Sequence, residues 1–216
     1  MFAETYAKCY ELLNREKNYK KEIEFVWEWG HRPKRILDLG CGVAHYWKYY
    51  PTGTELFGIE KSEDMRNVSE FKDRIFCYDI TRIDPFFVSK QFDLVTALFD
   101  VLGYVGRQDW WKYLPIAPGG YFIFDIWDKE KVAKEGFKIS IRIIQDVIRI
   151  INPIYQDENK VRFEITLTSS SLSLKEIHEM YLYDSDEIAE FAGDDFEVVD
   201  LKKTQRWQTW FKLKKR

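Results

Sequence analysis

Apolar and polar positions follow three rhythms along this chain. Tyr6, Tyr10 and Leu13 fall at i, i+4 and i+7, which share one face of a helix. Residues 2–30 are therefore predicted to form two helices broken near Asn14-Arg15. The second spans 18–29 and stops at Gly30, with Pro33 just beyond. Compact apolar runs then alternate with helical stretches. They predict strands at 35–39, 55–59, 75–78, 93–99 and 120–126, the last entered through Pro118-Gly119-Gly120. A helix opens at Ser62, with Glu63 and Asp64 in its first turn, which suits the helix dipole. Strands alternating with helices predict βαβ units and a parallel sheet. After about residue 136 the rhythm becomes period two, at 139–143, 161–167 and 177–183, with turns expected at Asn152-Pro153 and Asp157-Glu158-Asn159. This reads as an antiparallel meander inserted after the fifth strand. A short helix over 185–191 and a hairpin of 196–201 with 207–213 close the pattern.

The chemistry concentrates at the end of the first strand, in Asp38-Leu39-Gly40-Cys41-Gly42-Val43-Ala44-His45. Glycine permits positive φ and close approach of a ligand. The carboxyl ends of strands are where open α/β sheets bind ligands. A dinucleotide loop, Gly-x-Gly-x-x-Gly or Ala, would need a small residue at 45, and 45 is His. The Gly-Lys-Ser/Thr of a phosphate loop is absent. A tight turn without a ligand stays open on this motif alone. Glu60, at the end of the second strand, stands where an acid can accept both ribose hydroxyls of a nucleoside.

Asp-x-Gly-x-Gly-x-Ala resembles the first motif of class I S-adenosylmethionine (SAM) methyltransferases, with Ala44 in place of the last glycine. Residues 57–65 resemble the second motif, with Glu60 for the usual Asp. Asp79 ends the third strand, where that family binds adenine. Residues 92–104 resemble the fourth motif, and the Pro-Gly-Gly strand ends at Asp125. These motifs stand in family order across 35–127. The flanks resemble a narrower group of small-molecule enzymes, including bacterial nucleotide-sugar N,N-dimethyltransferases. They do so through Tyr6, Tyr10, Lys17-Asn18-Tyr19, Glu22, Gly103-Tyr104 and Glu176-Ile177-His178-Glu179-Met180.

The resemblance implies an α/β, Rossmann-like fold. Its seven-stranded, mostly parallel sheet would end in an antiparallel hairpin. A single domain is expected, with a helical lid over 1–30, a SAM-binding core over 31–136, an inserted antiparallel cap over 137–183, and a final helix and hairpin over 184–216. SAM would be held by Tyr19, Asp38, Gly40, Cys41, Gly42, Ala44, Glu60, Lys61, Met65, Asp79, Ile80 and Leu98, with S-adenosyl-L-homocysteine as product and no metal. The implied acceptor is an amine or hydroxyl of a small molecule, an amino sugar leading, touched by Tyr6, Tyr10 and Tyr104. Aromatic faces can hold the sulfonium or a cationic amine. A base is needed only if the nucleophile arrives protonated. The candidates for catalysis are Tyr104, Asp100, Asp125 and His178.

Composition narrows this further. The chain has 216 residues, 45% hydrophobic and 32% charged, with a net charge of −3. That balance argues against a protein built to coat nucleic acid. One segment departs from it: residues 202–216 are basic and aromatic without an acid. They read either as an RNA contact surface or as a sheet strand whose lysines protect an edge. An RNA or protein methyltransferase, or a non-catalytic SAM-binding protein, is therefore the alternative function. Cys9, Cys41 and Cys77 lack metal-site spacing and read as reduced thiols of a cytoplasmic protein. Met1-Phe2-Ala3-Glu4 offers no leader pattern, and no apolar run is long enough to span a bilayer. No membrane partner is expected, and a homodimer is left open.

Overall fold

The computed structural model describes residues 4–14, 17–83, 91–106, 109–170, 173–204 and 207–216. Seven strands form the main sheet: β1 (Arg35–Leu39), β2 (Glu55–Glu60), β3 (Ile75–Cys77), β4 (Phe92–Ala97), β5 (Ile116–Trp127), β10 (Phe196–Lys203) and β11 (Gln208–Lys215). Their order is β10-β11-β5-β4-β1-β2-β3. The pairs among β1 to β5 are parallel, and β11 is antiparallel to both β5 and β10. This is the class I methyltransferase architecture. The central strands carry apolar side chains on both faces because both faces are covered. Val95, Phe122, Phe124 and Phe211 pack under Ile188 and Ala192 of α5 (Ser185–Ala192). Ile36, Leu94, Ile123 and Trp210 pack under Ile23 and Val26 of α2 (Tyr19–Trp29).

A separate four-stranded antiparallel sheet contains β6 (Ser140–Ile144), β7 (Val147–Gln156), β8 (Lys160–Thr168) and β9 (Ser173–Tyr181), in that order. It leaves the main sheet through α4 (Lys129–Glu135), whose first turn is capped by Asp128 accepting from Lys131 N at 3.1 Å. Phe163, Ile165, Leu167 and Met180 of its inner face form a third core. Ala7 and Leu13 of α1 (Glu4–Asn14) and Met65 of α3 (Glu63–Val68) complete that core.

Four expectations need correction. The glycine loop leads into a short 3-10 helix, His45–Tyr49, rather than an α-helix; the run is aromatic and Pro51 stops it. β5 begins at Ile116, so Pro118-Gly119-Gly120 lies inside the strand, where the register against β4 shifts. The second sheet has four strands, because Asn152-Pro153 lies within β7 at an irregularity and is not a turn. Lastly, β11 is an interior strand, and β10 forms the sheet edge.

The β6 end of the second sheet departs from the usual amphipathic order. Ile141 and Ile143 of β6 are 64% and 65% exposed. Between them, Arg142 stands opposite Arg149, and Arg149 stands opposite the buried Leu167. The arginines therefore share the inner face, and the isoleucines face solvent.

Candidate functional site

The loop after β1 folds back over the end of β2. Cys41 N donates to Ile59 O at 3.2 Å, and Gly42 N donates to Glu60 Oε2 at 2.8 Å. Ser62 N donates to Glu60 Oε1 at 2.8 Å, and the Ser62 hydroxyl caps α3 by accepting from Met65 N. Gly40 and Gly42 have φ of +61° and +57°, which only glycine adopts cheaply. A Cβ at Gly40 would sit 2.7 Å from Val101, whereas one at Gly42 would meet nothing within 4 Å. Gly42 thus faces open space at the strand ends. Ala44 shares the left-handed conformation at +53°, which explains a small residue there.

Three carboxylates order this side. Asp38 accepts from Tyr46 Oη and Trp47 Nε1, each at 2.7 Å, and from Thr96 Oγ1 at 2.8 Å. Burial raises its pKa to about 6 against those hydrogen bonds. Burial likewise raises Glu60, opposed by the backbone N–H groups of Ser62 and Gly42. Asp79 feels a burial penalty, but Lys61 Nζ at 2.8 Å and the Thr81 amide and hydroxyl bring it down to about 2. Met65, Ile80 and Leu98 are buried around these groups. Cys41 packs beneath Gly58, where a Cβ would meet its Sγ at 2.5 Å. Burial pushes its thiol well above the usual range, so it fills space and is not a nucleophile.

These residues fit an adenosyl ligand. A carboxylate offers about four lone-pair sites, and the bonds to Gly42 and Ser62 leave Glu60 with acceptor capacity for a ribose diol. Gly42 leaves room for close approach beside it. Tyr19 closes the neighbouring edge, its ring 5.4 Å from Phe99 and 5.7 Å from Tyr46. Lys17 Nζ lies 3.6 Å above the Phe99 ring and pairs with Glu22 at 3.1 Å. Among the described residues, no group of His, Cys, Asp and Glu could hold a metal ion.

The other sequence candidates divide in two. Tyr104 and His178 come together, with Tyr104 Oη 2.9 Å from His178 Nδ1. The Tyr6 ring lies 6.2 Å from His178 and 6.3 Å from Tyr10. Burial lowers the His178 pKa, opposed by Glu176, and raises the phenols of Tyr6, Tyr10, Tyr19 and Tyr104. Asp100 and Asp125 instead turn toward backbone. Asp125 accepts from Phe99 N at 2.6 Å, Asp100 N at 3.2 Å and Gln208 Nε2 at 3.0 Å. Burial raises it to about 6. Asp100 accepts from Trp127 N at 2.9 Å, and its Oδ2 is buried with no hydrogen-bond partner. A Cβ at Gly103 would meet that oxygen at 2.6 Å, which requires glycine there.

Sequence reasoning missed Arg142 and Arg149. Arg149 acts electrostatically on Tyr6 and Tyr10, and Arg142 on Tyr19. The signal was present as arginines alternating with isoleucines, but apolar alternation points to the wrong face.

Residues 37–124 match the family described as a methyltransferase domain. The match spans β1 to β5 and their loops, and with the strand order it gives the chain the fold of class I methyltransferases. No curated protein matches the chain. Its backbone is similar to an SAM-dependent methyltransferase from Clostridium acetobutylicum, with 20% identity, TM-score 0.79 and 97% of each chain covered. It is also similar to the SAM-bound amino pentose methyltransferase of calicheamicin biosynthesis from Micromonospora echinaspora. There the identity is 17% and the TM-score 0.74, over 100% of this chain and 98% of that one. A sugar N-methyltransferase from Streptoalloteichus matches at 16% identity and TM-score 0.73, over 95% and 91%.

Proposed function

We propose that the protein transfers the methyl group of SAM to the amine of a small molecule, with an anionic amino sugar as the leading acceptor. SAM supplies a methyl group made electrophilic by its sulfonium. In this reading Gly40, Gly42 and Glu60 hold the nucleoside, α1 and α2 act as a lid, and the second sheet is a cap over the acceptor. The observation that carries it is one cluster, in which Tyr6 and Tyr10 of α1 and Tyr104 after β4 gather at His178 of β9, with Arg149 acting electrostatically on Tyr6 and Tyr10 and Arg142 on Tyr19. Tyrosines suit a cationic amine. Two arginines suit a phosphate or carboxylate. The amino pentose and sugar N-methyltransferases of similar fold support a sugar.

The basic C-terminal segment does not favour RNA. Lys212 is buried, with its Nζ 2.9 Å from His31 and 4.2 Å from the Tyr121 ring centroid, and Lys215 pairs with Asp195. The test is label transfer from methyl-tritiated SAM to a panel of amines, with and without phosphate, alongside bulk RNA. Label is expected in phosphorylated amino sugars. Label in RNA alone would overturn the reading.

A further inference from the structure

We propose that Tyr104, His178 and Glu176 form a relay that removes a proton from the acceptor amine before methyl transfer. The inference rests on the amine-acceptor reading above. Tyr104 comes from the 3-10 helix Val101–Tyr104 after β4, at the reactive edge of the sheet. Glu176 and His178 are two residues apart on β9 and so share its inner face. His178 Nδ1 is 2.9 Å from Tyr104 Oη, and His178 Nε2 is 3.2 Å from Glu176 Oε2. Tyr104 is 50% exposed, and Tyr6, Tyr10, Asp100 and Glu176 act on it electrostatically, so part of its ring is accessible to an acceptor. His178 is buried behind it.

The partners set the direction of the proton. An ionised carboxylate can only accept, so Glu176 fixes the His178 proton on Nε2. Nδ1 then presents a lone pair and accepts from the Tyr104 hydroxyl. Among the described residues, the titratable groups at His178 include Glu176 on β9, Tyr104 after β4 and Tyr6 on α1, and the chain's α-amino charge also lowers its pKa. Tyr104 is further influenced by Tyr10 and Asp100. Burial keeps His178 neutral near neutral pH and ready to accept. Tyr104 alone is a poor base, because a free phenol titrates at about 10 and this one lies higher. As a bridge it needs no stable phenolate.

An ammonium has no lone pair to attack with. One N–H bond of the acceptor breaks and its proton passes to the Tyr104 oxygen. The Tyr104 hydroxyl proton passes to His178 Nδ1, and Glu176 stabilises the imidazolium. The freed lone pair forms the N–C bond as the C–S bond breaks, with that electron pair remaining on sulfur. The products are a methylated ammonium and a neutral thioether, and the relay proton leaves to solvent. Tyr104 would be the catalytic residue, with His178 and Glu176 positioning and receiving groups.

Two measurements on the full chain test this. Nitrogen-15 NMR of labelled imidazole should show His178 as the Nε2–H tautomer, protonating below the ordinary value of about 6.5. An Nδ1–H tautomer, or a charged ring at neutral pH, would overturn the relay without any acceptor present. Kinetics with glucosamine 1-phosphate as the amine give the second readout. Tyr104→Phe and His178→Asn should each lower kcat by roughly 30- to 1000-fold at neutral pH, within reach of general-base effects. KM and calorimetric SAM affinity should be preserved. The loss should shrink in alkaline buffer, where the amine sheds its proton unaided, and Glu176→Gln should shift the acid limb of the profile. A loss independent of pH would leave Tyr104 as an orienting group and end the relay proposal. Wild-type transfer to RNA but to no amine would instead defeat the function proposed above, with the tautomer still judging the relay.

Discussion

Asp38, Glu60 and Asp79 stand at the carboxyl ends of β1, β2 and β3, and each already accepts hydrogen bonds from this chain. On the second sheet, Arg142 and Arg149 stand opposite one another on β6 and β7, and the Arg149 Nε is buried without a hydrogen-bond partner. The first arrangement is settled without a ligand. The second is not: like charges directly opposite on a sheet repel, and the buried Arg149 Nε lacks an acceptor. Burial even lowers the Arg149 pKa, although Tyr6, Tyr10 and Tyr19 oppose it. Local rules fail most often at functional sites. The core side is preorganised for a ligand held by shape and a few acceptors, while under the proposed function the second sheet keeps its arginines for an anionic acceptor.

The largest effect belongs to the settled side. Asp38→Ala would leave Tyr46 Oη, Trp47 Nε1 and Thr96 Oγ1 buried without their acceptor. Each orphaned donor costs about 1–3 kcal/mol, so urea unfolding should show a total loss of about 3–5 kcal/mol. A loss below about 1 kcal/mol would mean that this carboxylate does not organise the loop.

On the cap side the same kind of change should touch binding instead of folding. Arg142→Gln with Arg149→Gln should raise KM for a phosphorylated acceptor by about 100-fold. That follows from two charged hydrogen bonds of about 1.5–3 kcal/mol each, discounted for solvent screening. Thermal stability should hold or rise slightly as the repulsion disappears. Unchanged KM with a marked drop in stability would reassign the arginines to structure and erase the contrast.

The two sides were also unequally legible. On the core side, signals are local: glycines at the loop, Ser62 as a cap, Gly30 as a stop, and apolar runs for buried strands. They place β1 to β5, the hairpin and the ligand loop within a few residues. On the cap side, the informative relation is nonlocal. Arg142 meets Arg149 only because Gln145 takes a left-handed φ of +53° in the turn between β6 and β7. Glutamine gives no such warning, since glycine or asparagine is the expected residue there. Asn152-Pro153 reads as punctuation but sits in a strand irregularity. The exposed isoleucines then hide which face looks inward. The roles of Asp100 and Asp125 were hidden for another reason, because sequence places a carboxylate at a strand end without saying which amides it meets.

Asp100 gives the smallest expected effect and the sharpest test of the boundary between the two sides. It lies on the core side, yet its Oδ2 is buried without a hydrogen-bond partner. Burial and then the neighbouring Asp125 carboxylate hold its pKa well above the usual range, against the hydrogen bond from Trp127. A carboxyl raised in the folded state stabilises the fold below its unfolded pKa of about 3.9, and that contribution is lost as pH rises through the folded value. Asn is an uncharged near-isostere, can still accept from Trp127, and tolerates the left-handed φ of +59° at this position. Asp100→Asn should therefore match the wild type near about pH 4 and exceed its stability by about 1–2 kcal/mol near about pH 8, read from urea midpoints. Methyl transfer should stay within about threefold, because Asn keeps the hydrogen bond from Trp127 and the carboxyl acts on Tyr104 only electrostatically, with Oδ2 packed against Gly103. Collapse of activity with this stability gain intact would move Asp100 into the catalytic machinery. The proton-accepting chemistry would then sit on the core side, not on the cap.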